Sequence, residues 1–175
     1  MLSIVIVLSI SVILFAVIGM QRGWAKELLV AFSVILALAL NLLLKQYIPI
    51  VRDLPNESTS LFWMRTLILV VLAFFGYQTV ALIPNLASKA THDRLLDALF
   101  GAILGAINGY LIVGTILFYN DQAGYPYPNI ISHPPPELAA TIGTMMAYMP
   151  PHLLGVPAIY FAVIIIFIFV IVVYK

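Results

Sequence analysis

The spacing of the charged residues constrains this chain more than any other feature. Its eight Lys or Arg and seven Asp or Glu residues are gathered in short segments. The long stretches between those segments carry no charge: 1–21, 28–44, 66–88, 98–120 and 153–174. A helix needs about 17–25 mostly apolar residues to cross a bilayer. The sequence therefore predicts an all-α fold, a polytopic transmembrane helical bundle with about five spans.

The composition indicates lipid rather than nucleic acid as the partner of this chain. Hydrophobic residues make up 63% of the chain and charged residues 9%, whereas a globular domain carries about 25% charged residues. So few charges cannot cover a water-exposed surface, and the lipid bilayer is the predicted partner. A net charge of +1 without a basic stripe argues against nucleic acid. The 175 residues contain no cysteine, which excludes thiolate chemistry within them.

The predicted elements divide the chain into three parts. A four-helix membrane domain is expected over 1–119, with spans near 2–20, 24–44, 61–83 and 96–119. The prolines of 120–156 predict an extracytoplasmic loop with one short interfacial helix near 138–149. Residues 157–175 predict a final transmembrane helix, because even a β-branched run must satisfy its own backbone in lipid.

Basic residues predict the orientation of these spans. One side of the membrane would hold Arg22, Lys26, Lys89, Arg94 and Lys175, and the other would hold Lys45, Arg52 and Arg65. Cytoplasmic loops carry the excess of Lys and Arg. We therefore expect an outside N-terminus and a cytoplasmic C-terminus, with Arg65 extending toward the opposite head groups.

Small residues repeat every four positions in the fourth span. They are Gly101, Gly105 and Gly109, flanked by Ala98, Ala102 and Ala106. Such a stripe makes a flat helix face that another backbone can approach closely. The favoured interpretation is packing against the protein's own helices, and the alternative is contact with another subunit.

Polar side chains also lie inside the predicted spans. Side chains of this kind usually form hydrogen bonds between helices. They are Asn41, Gln78, Thr79 and Asn108. The alternative is that they line a path for a polar solute. The middle of each predicted span lacks an ionisable residue, which argues against a carboxylate proton relay.

Two short polar links are predicted on the cytoplasmic side. They contain Arg22, Gly23, Lys26 and Glu27 in the first link, and Asp93, Arg94 and Asp97 in the second. Gly23 would allow a tight antiparallel hairpin between the first two spans. Glu27 would pair with Arg22 or with Arg94, either to hold the hairpin or to form a binding site.

Sites for metals, cofactors and catalysis are not predicted. The loop residues Asp121, His133, Glu137 and His152 have a spacing that matches no established metal site. The chain also lacks a nucleophile elbow, a P-loop and a dinucleotide fingerprint. We therefore expect a protein that is not an enzyme.

Two segments carry a family resemblance. Residues 19–27 read Gly-Met-Gln-Arg-Gly-Trp-Ala-Lys-Glu, and residues 92–97 read His-Asp-Arg-Leu-Leu-Asp before Gly101 and Gly105. They resemble the G-x-x-R-G-x-x-x-E hairpin and the T/H-D-R-L-x-G segment of the colicin V production protein (CvpA) family, although Asp97 stands where that family usually has glycine. The resemblance covers about residues 1–119. It implies a multi-pass protein of the bacterial inner membrane, associated with toxin export and envelope maintenance.

Three functions are compatible with this sequence. The favoured one is a non-catalytic membrane protein that acts through helix–helix packing, either self-assembling or as an accessory subunit of a larger membrane complex. The second is a small-solute transporter or a channel component. The third is an accessory subunit of a respiratory or photosynthetic complex.

Overall fold

The computed structural model describes residues 4–82, 94–131 and 133–174. Over these ranges the regular structure is entirely helical, which confirms the predicted all-α class. The helices are α1 (Ile4–Arg22), α2 (Trp24–Tyr47), α3 (Pro49–Arg52), α4 (Thr59–Leu82), α5 (Arg94–Gln122), α6 (Pro136–Ala147), α7 (Pro150–Leu153) and α8 (Ala158–Tyr174).

Four of these helices, α1, α2, α4 and α5, are long and apolar enough to cross a membrane. The predicted fifth span, α8, is apolar but has 17 residues, the lower limit of a spanning helix. The described residues therefore hold four candidate spans and one shorter apolar helix. The part of the predicted second link that precedes Arg94, including Asp93, lies outside the described residues.

The turn between α1 and α2 is as short as the sequence predicts, but the two helices do not form a packed hairpin. Gly23 joins them with a φ of 88°, a left-handed conformation that favours glycine. Beyond this turn α1 packs mainly against α5 and makes few contacts with α2. The reason is the close approach that glycines on α1 and α5 permit.

An apolar core fills the middle of the bundle. It consists of Val30, Val34, Ala37, Leu69, Ala73, Leu111 and Ile112, from α2, α4 and α5. We call the end of the bundle at Gly23 the hairpin end and the opposite end, where α2 finishes and α4 begins, the Arg65 end. The core separates the two ends.

Helix α8 runs antiparallel to α2 and starts well inside the Arg65 end. Ile159 packs against Leu38 and Ala39, eight or nine residues before α2 ends, which is about 12–14 Å along a helix. Farther along, the Phe167 ring lies 6.0 Å from the Phe32 ring. The remaining residues of α8 extend toward the hairpin end.

The chain that precedes α8 also lies below the Arg65 end. A Cβ on Gly114 of α5 would be 3.1 Å from Pro150, and Gly114 precedes the end of α5 by about 12 Å of helix. We call residues 149–155 the inset segment. The sequence predicts a surface loop here, whereas the structure packs this segment between α5 and α2. The inset segment contains the four-residue helix α7 and irregular backbone on either side of it. Such backbone within a membrane domain is tolerated where protein covers it or where it lines a cavity.

Candidate functional site

A buried polar cluster at the hairpin end joins four helices. It consists of Arg22 from α1, Glu27 from α2, Tyr77 from α4 and Asn108 from α5, and we call it the hairpin cluster. Arg22 Nε and Glu27 Oε1 form an ion pair at 2.9 Å. Asn108 Nδ2 donates to Glu27 Oε2 at 2.8 Å and to the Glu27 carbonyl at 2.9 Å. The Arg22 guanidinium stands 4.4 Å from the centre of the Tyr77 ring.

The centre of this cluster is closed to solvent. Glu27 and Asn108 are both 0% exposed, and Arg22 is half-buried. The ion pair leaves the cluster without net charge, which is the condition under which buried charges are tolerated. Removing one partner of a buried pair costs about 3–5 kcal/mol, because the other charge is left uncompensated. The cluster is therefore a fixed polar joint between α1, α2, α4 and α5.

The second polar link contributes to the same end through Asp97. Its Oδ1 accepts a hydrogen bond from the Trp24 backbone N–H at 3.1 Å, so it caps the start of α2. A Cβ on Gly23 would lie 2.6 Å from Asp97 Oδ2. Glycine is therefore required at Gly23 both for its conformation and for the space that the Asp97 carboxylate occupies.

The other members of the predicted links lie at the edge of this site. Lys26 is half-buried and Arg94 is exposed. Within the described ranges, the ion pair that Glu27 forms is with Arg22, so the alternative pairing with Arg94 is not what the structure has. Asp93 lies outside the described residues.

The small-residue stripe of α5 faces α1 of the same chain. A Cβ on Gly101 would lie 2.3 Å from the Gly19 carbonyl oxygen, and one on Gly105 would lie 2.3 Å from the Phe15 carbonyl oxygen. Gly109 meets the Phe15 side chain. The flanking alanines Ala98, Ala102 and Ala106 are half-buried.

The four residues of the predicted polar path are not brought together. Asn108 belongs to the hairpin cluster, whereas Asn41 lies toward the Arg65 end and donates to the Arg65 carbonyl at 3.1 Å. Gln78 is exposed on α4. Thr79 donates to the Phe75 carbonyl of its own helix at 2.7 Å.

Two features of the site are absent from the sequence predictions. One is the participation of Tyr77, and the other is a second polar group near the Arg65 end, where Arg65 Nη1 donates to Gln122 Oε1 at 3.0 Å. The spacing of polar residues in α2 and α5 could have predicted two polar groups at opposite ends of the bundle. Glu27 and Asn41 are 14 residues apart, as are Asn108 and Gln122, which places each pair on nearly one helix face about 21 Å apart.

The acidic and histidine side chains of the described residues are dispersed. Across 4–82, 94–131 and 133–174, no three His, Asp or Glu side chains gather as ligands for a metal ion. At the Arg65 end, the buried Tyr125 hydroxyl donates to Asp121 Oδ1 at 2.8 Å. Burial raises the pKa of Tyr125, and the hydrogen bond to Asp121 raises it further.

An all-helical bundle with four apolar helices of spanning length, a lipid-compatible exterior and a buried Arg22–Glu27 ion pair defines a multi-pass membrane protein. The chain matches the family model for the colicin V production protein over residues 4–133, so it belongs to that family. The match extends past the predicted limit at 119 into the loop after α5. The family membership and the four long apolar helices together indicate that the protein resides in the inner membrane. No curated protein and no solved structure gives a match.

Proposed function

We propose that this protein is a non-catalytic membrane subunit that works by helix–helix packing with other membrane-embedded chains. The partner would be a second copy or a subunit of a larger complex, for which a respiratory or photosynthetic assembly is one example. The glycine stripe of α5 does not serve this contact, because α1 of the same chain covers it. The contact is assigned instead to α4.

The exposed face of α4 is the observation that carries the proposal. Leu67, Val71, Phe74 and Gln78 are exposed and follow one another at intervals of three or four residues, the spacing of one helix face. Lipid chains offer no hydrogen-bond partner for the Gln78 amide. Amide side chains contribute about 0.6–2 kcal/mol to helix association in membranes. A partner helix on this face would supply hydrogen bonds to that amide.

Transport of a small solute is less well supported by the geometry. The hairpin cluster and the polar group at the Arg65 end are about 21 Å apart along α2 and α5. Val30, Val34 and Leu69, all 0% exposed, fill the bundle between them. A solute path would have to open this apolar core. The charged groups of the hairpin cluster, Arg22 and Glu27, pair with each other rather than face a channel.

The orientation of the helices across the membrane is part of the same proposal. We place the hairpin end in the cytoplasm, with the N-terminus outside and the C-terminus inside, from the excess of Lys and Arg in the links at that end. Helix α8 supports the position of the C-terminus, since it runs from near Leu38 toward the hairpin end. The partner helix on α4 would then meet Gln78 near the cytoplasmic side.

Site-specific crosslinking in native membranes tests the contact. A photoreactive residue at Phe74 is expected to give an adduct of defined mass, whereas one at the equally exposed Ile13 of α1 is not. The adduct mass distinguishes a second copy from another subunit. Gln78→Leu should weaken the association about three- to thirtyfold, from the energies above. Equal adduct yields at Phe74 and Ile13, or none at either, would refute an α4 interface.

A further inference from the structure

A partly open cavity of about 270 Å³ lies at the Arg65 end, between α2, α4, α5 and the inset segment. That volume corresponds to about nine water molecules at liquid density. Its polar lining comes from Asn41, Arg65, Tyr119, Gln122 and His152, and its apolar walls include Leu42 and Phe118. The inset segment closes one side of it through residues 151–155.

Arg65 brings a positive charge into this cavity without a matching negative one. Its described contacts are Gln122 Oε1, at 3.0 Å, and the Tyr119 ring, whose centre is 5.2 Å from the guanidinium carbon. Within the described ranges, the acidic side chains that form ion pairs are Glu27 and Asp53, and neither pairs with Arg65. An unpaired charge inside a membrane domain is costly, and such residues usually mark a binding site.

The lining also holds an unused hydrogen-bond acceptor. Asn41 is 2% exposed, and its Nδ2 is engaged by the Arg65 carbonyl. Its Oδ1 has no hydrogen-bond partner among the described residues. A buried polar atom without a partner costs about 1–3 kcal/mol. A ligand that fits this cavity therefore has to bring a negative group for Arg65 and a donor, such as a hydroxyl, for Asn41.

We propose that this cavity binds a polyol phosphate, the headgroup of an anionic phospholipid such as phosphatidylglycerol. The phosphate lies against the Arg65 guanidinium, whose planar N–H fork matches phosphate oxygens. A headgroup hydroxyl donates to Asn41 Oδ1. The apolar walls formed by Leu42 and Phe118 favour a ligand whose acyl chains continue into the bilayer. This inference does not depend on a partner at α4.

Lipid binding to the full chain tests the proposal. The protein is purified in mild detergent, and native mass spectrometry measures the affinity for phosphatidylglycerol, phosphatidylmethanol and phosphatidylcholine. Phosphatidylglycerol is expected to bind at least about tenfold more tightly than phosphatidylcholine. Both lipids carry the phosphodiester, but the choline cation is repelled by Arg65 and has no hydroxyl to donate to the buried Asn41 Oδ1. Phosphatidylmethanol, which has the same charge without the hydroxyls, should bind with intermediate affinity.

Arg65→Gln should abolish the preference for phosphatidylglycerol over phosphatidylcholine. Arg52→Gln is the matched control, because Arg52 is an exposed arginine in the short helix α3 at the same end and its replacement should leave the preference unchanged. A preference that survives Arg65→Gln would overturn the proposal. If Arg65→Gln does not fold, the wild-type comparison decides, since equal affinities for the three lipids would also overturn it.

A separate experiment distinguishes a lipid headgroup from a soluble phosphate as the ligand. Glycerol 3-phosphate is added to the protein in phosphatidylcholine nanodiscs, and the change in thermal stability is measured. A lipid site predicts no stabilisation at millimolar concentration, together with clear stabilisation by phosphatidylglycerol in the disc. Stabilisation by soluble glycerol 3-phosphate alone would overturn the lipid as the source.

Discussion

Replacing Gly105 with alanine tests the close approach of α1 and α5. The new Cβ would lie 2.3 Å from the Phe15 carbonyl oxygen and 2.9 Å from Gly19 Cα. An ordinary carbon–oxygen contact is about 3.3–3.6 Å, so the two helices must separate by about 1 Å at their crossing. Overpacking of this kind costs about 1–3 kcal/mol.

Alanine also favours the helix over glycine by about 1 kcal/mol, which offsets part of that cost. We therefore expect Gly105→Ala to lower the free energy of unfolding by about 1–2 kcal/mol, or the melting temperature by about 2–8 °C for a chain of this size. The assay is thermal unfolding in mild detergent, followed by far-ultraviolet circular dichroism.

Gly143 of α6 provides the control for this experiment. It is a helical glycine, and among the described residues no atom beyond the neighbouring backbone of its own helix lies within 4 Å of the Cβ that alanine would add. Gly143→Ala should therefore leave the melting temperature unchanged or raise it, because only the helix preference acts. A melting temperature for Gly105→Ala at or above that of the wild type would refute the tight contact between α1 and α5.

Three further predictions concern the hairpin end. Arg22→Leu and Glu27→Leu should each lower the free energy of unfolding. The double variant should lower it by less than the sum of the two, because no lone buried charge remains. Additivity within about 0.3–0.5 kcal/mol would contradict the pairing. Asp97→Ala should lower the free energy of unfolding by about 1 kcal/mol through loss of the α2 cap, and an unchanged melting temperature would argue against the cap. On sealed cells, an impermeant maleimide should label Asn56→Cys but not Gln21→Cys, and the reverse pattern would invert the proposed orientation.

The positions of the helices follow closely from the sequence. The charge-free stretch at 28–44 and the turn at Gly23 predict a span over 24–44, and the structure has a helix over Trp24–Tyr47. This agreement has a simple cause. A chain in lipid must satisfy its backbone internally, so a long apolar stretch has few alternatives to a helix.

The rotation and depth of each helix do not follow in the same way. Asn108 is correctly seen as a polar residue inside a span, but its partner Glu27 is 81 residues away. Arg65 is predicted to extend toward head groups, and the sequence does not show that it lines a cavity bordered by the inset segment. Both outcomes depend on contacts between distant elements, which the periodicity of a single helix does not contain.

The separation of Gly19 and Gly101 in the chain has a consequence for biosynthesis. These glycines meet in the folded protein, yet they are 82 positions apart in the sequence. At about 5–20 residues per second, the ribosome needs about 4–16 s to reach the second after the first. During that interval α1 is already made and its packing surface has no α5 to cover it. The nascent chain therefore has to keep α1 in lipid, or against an insertion factor, until its fourth long helix arrives.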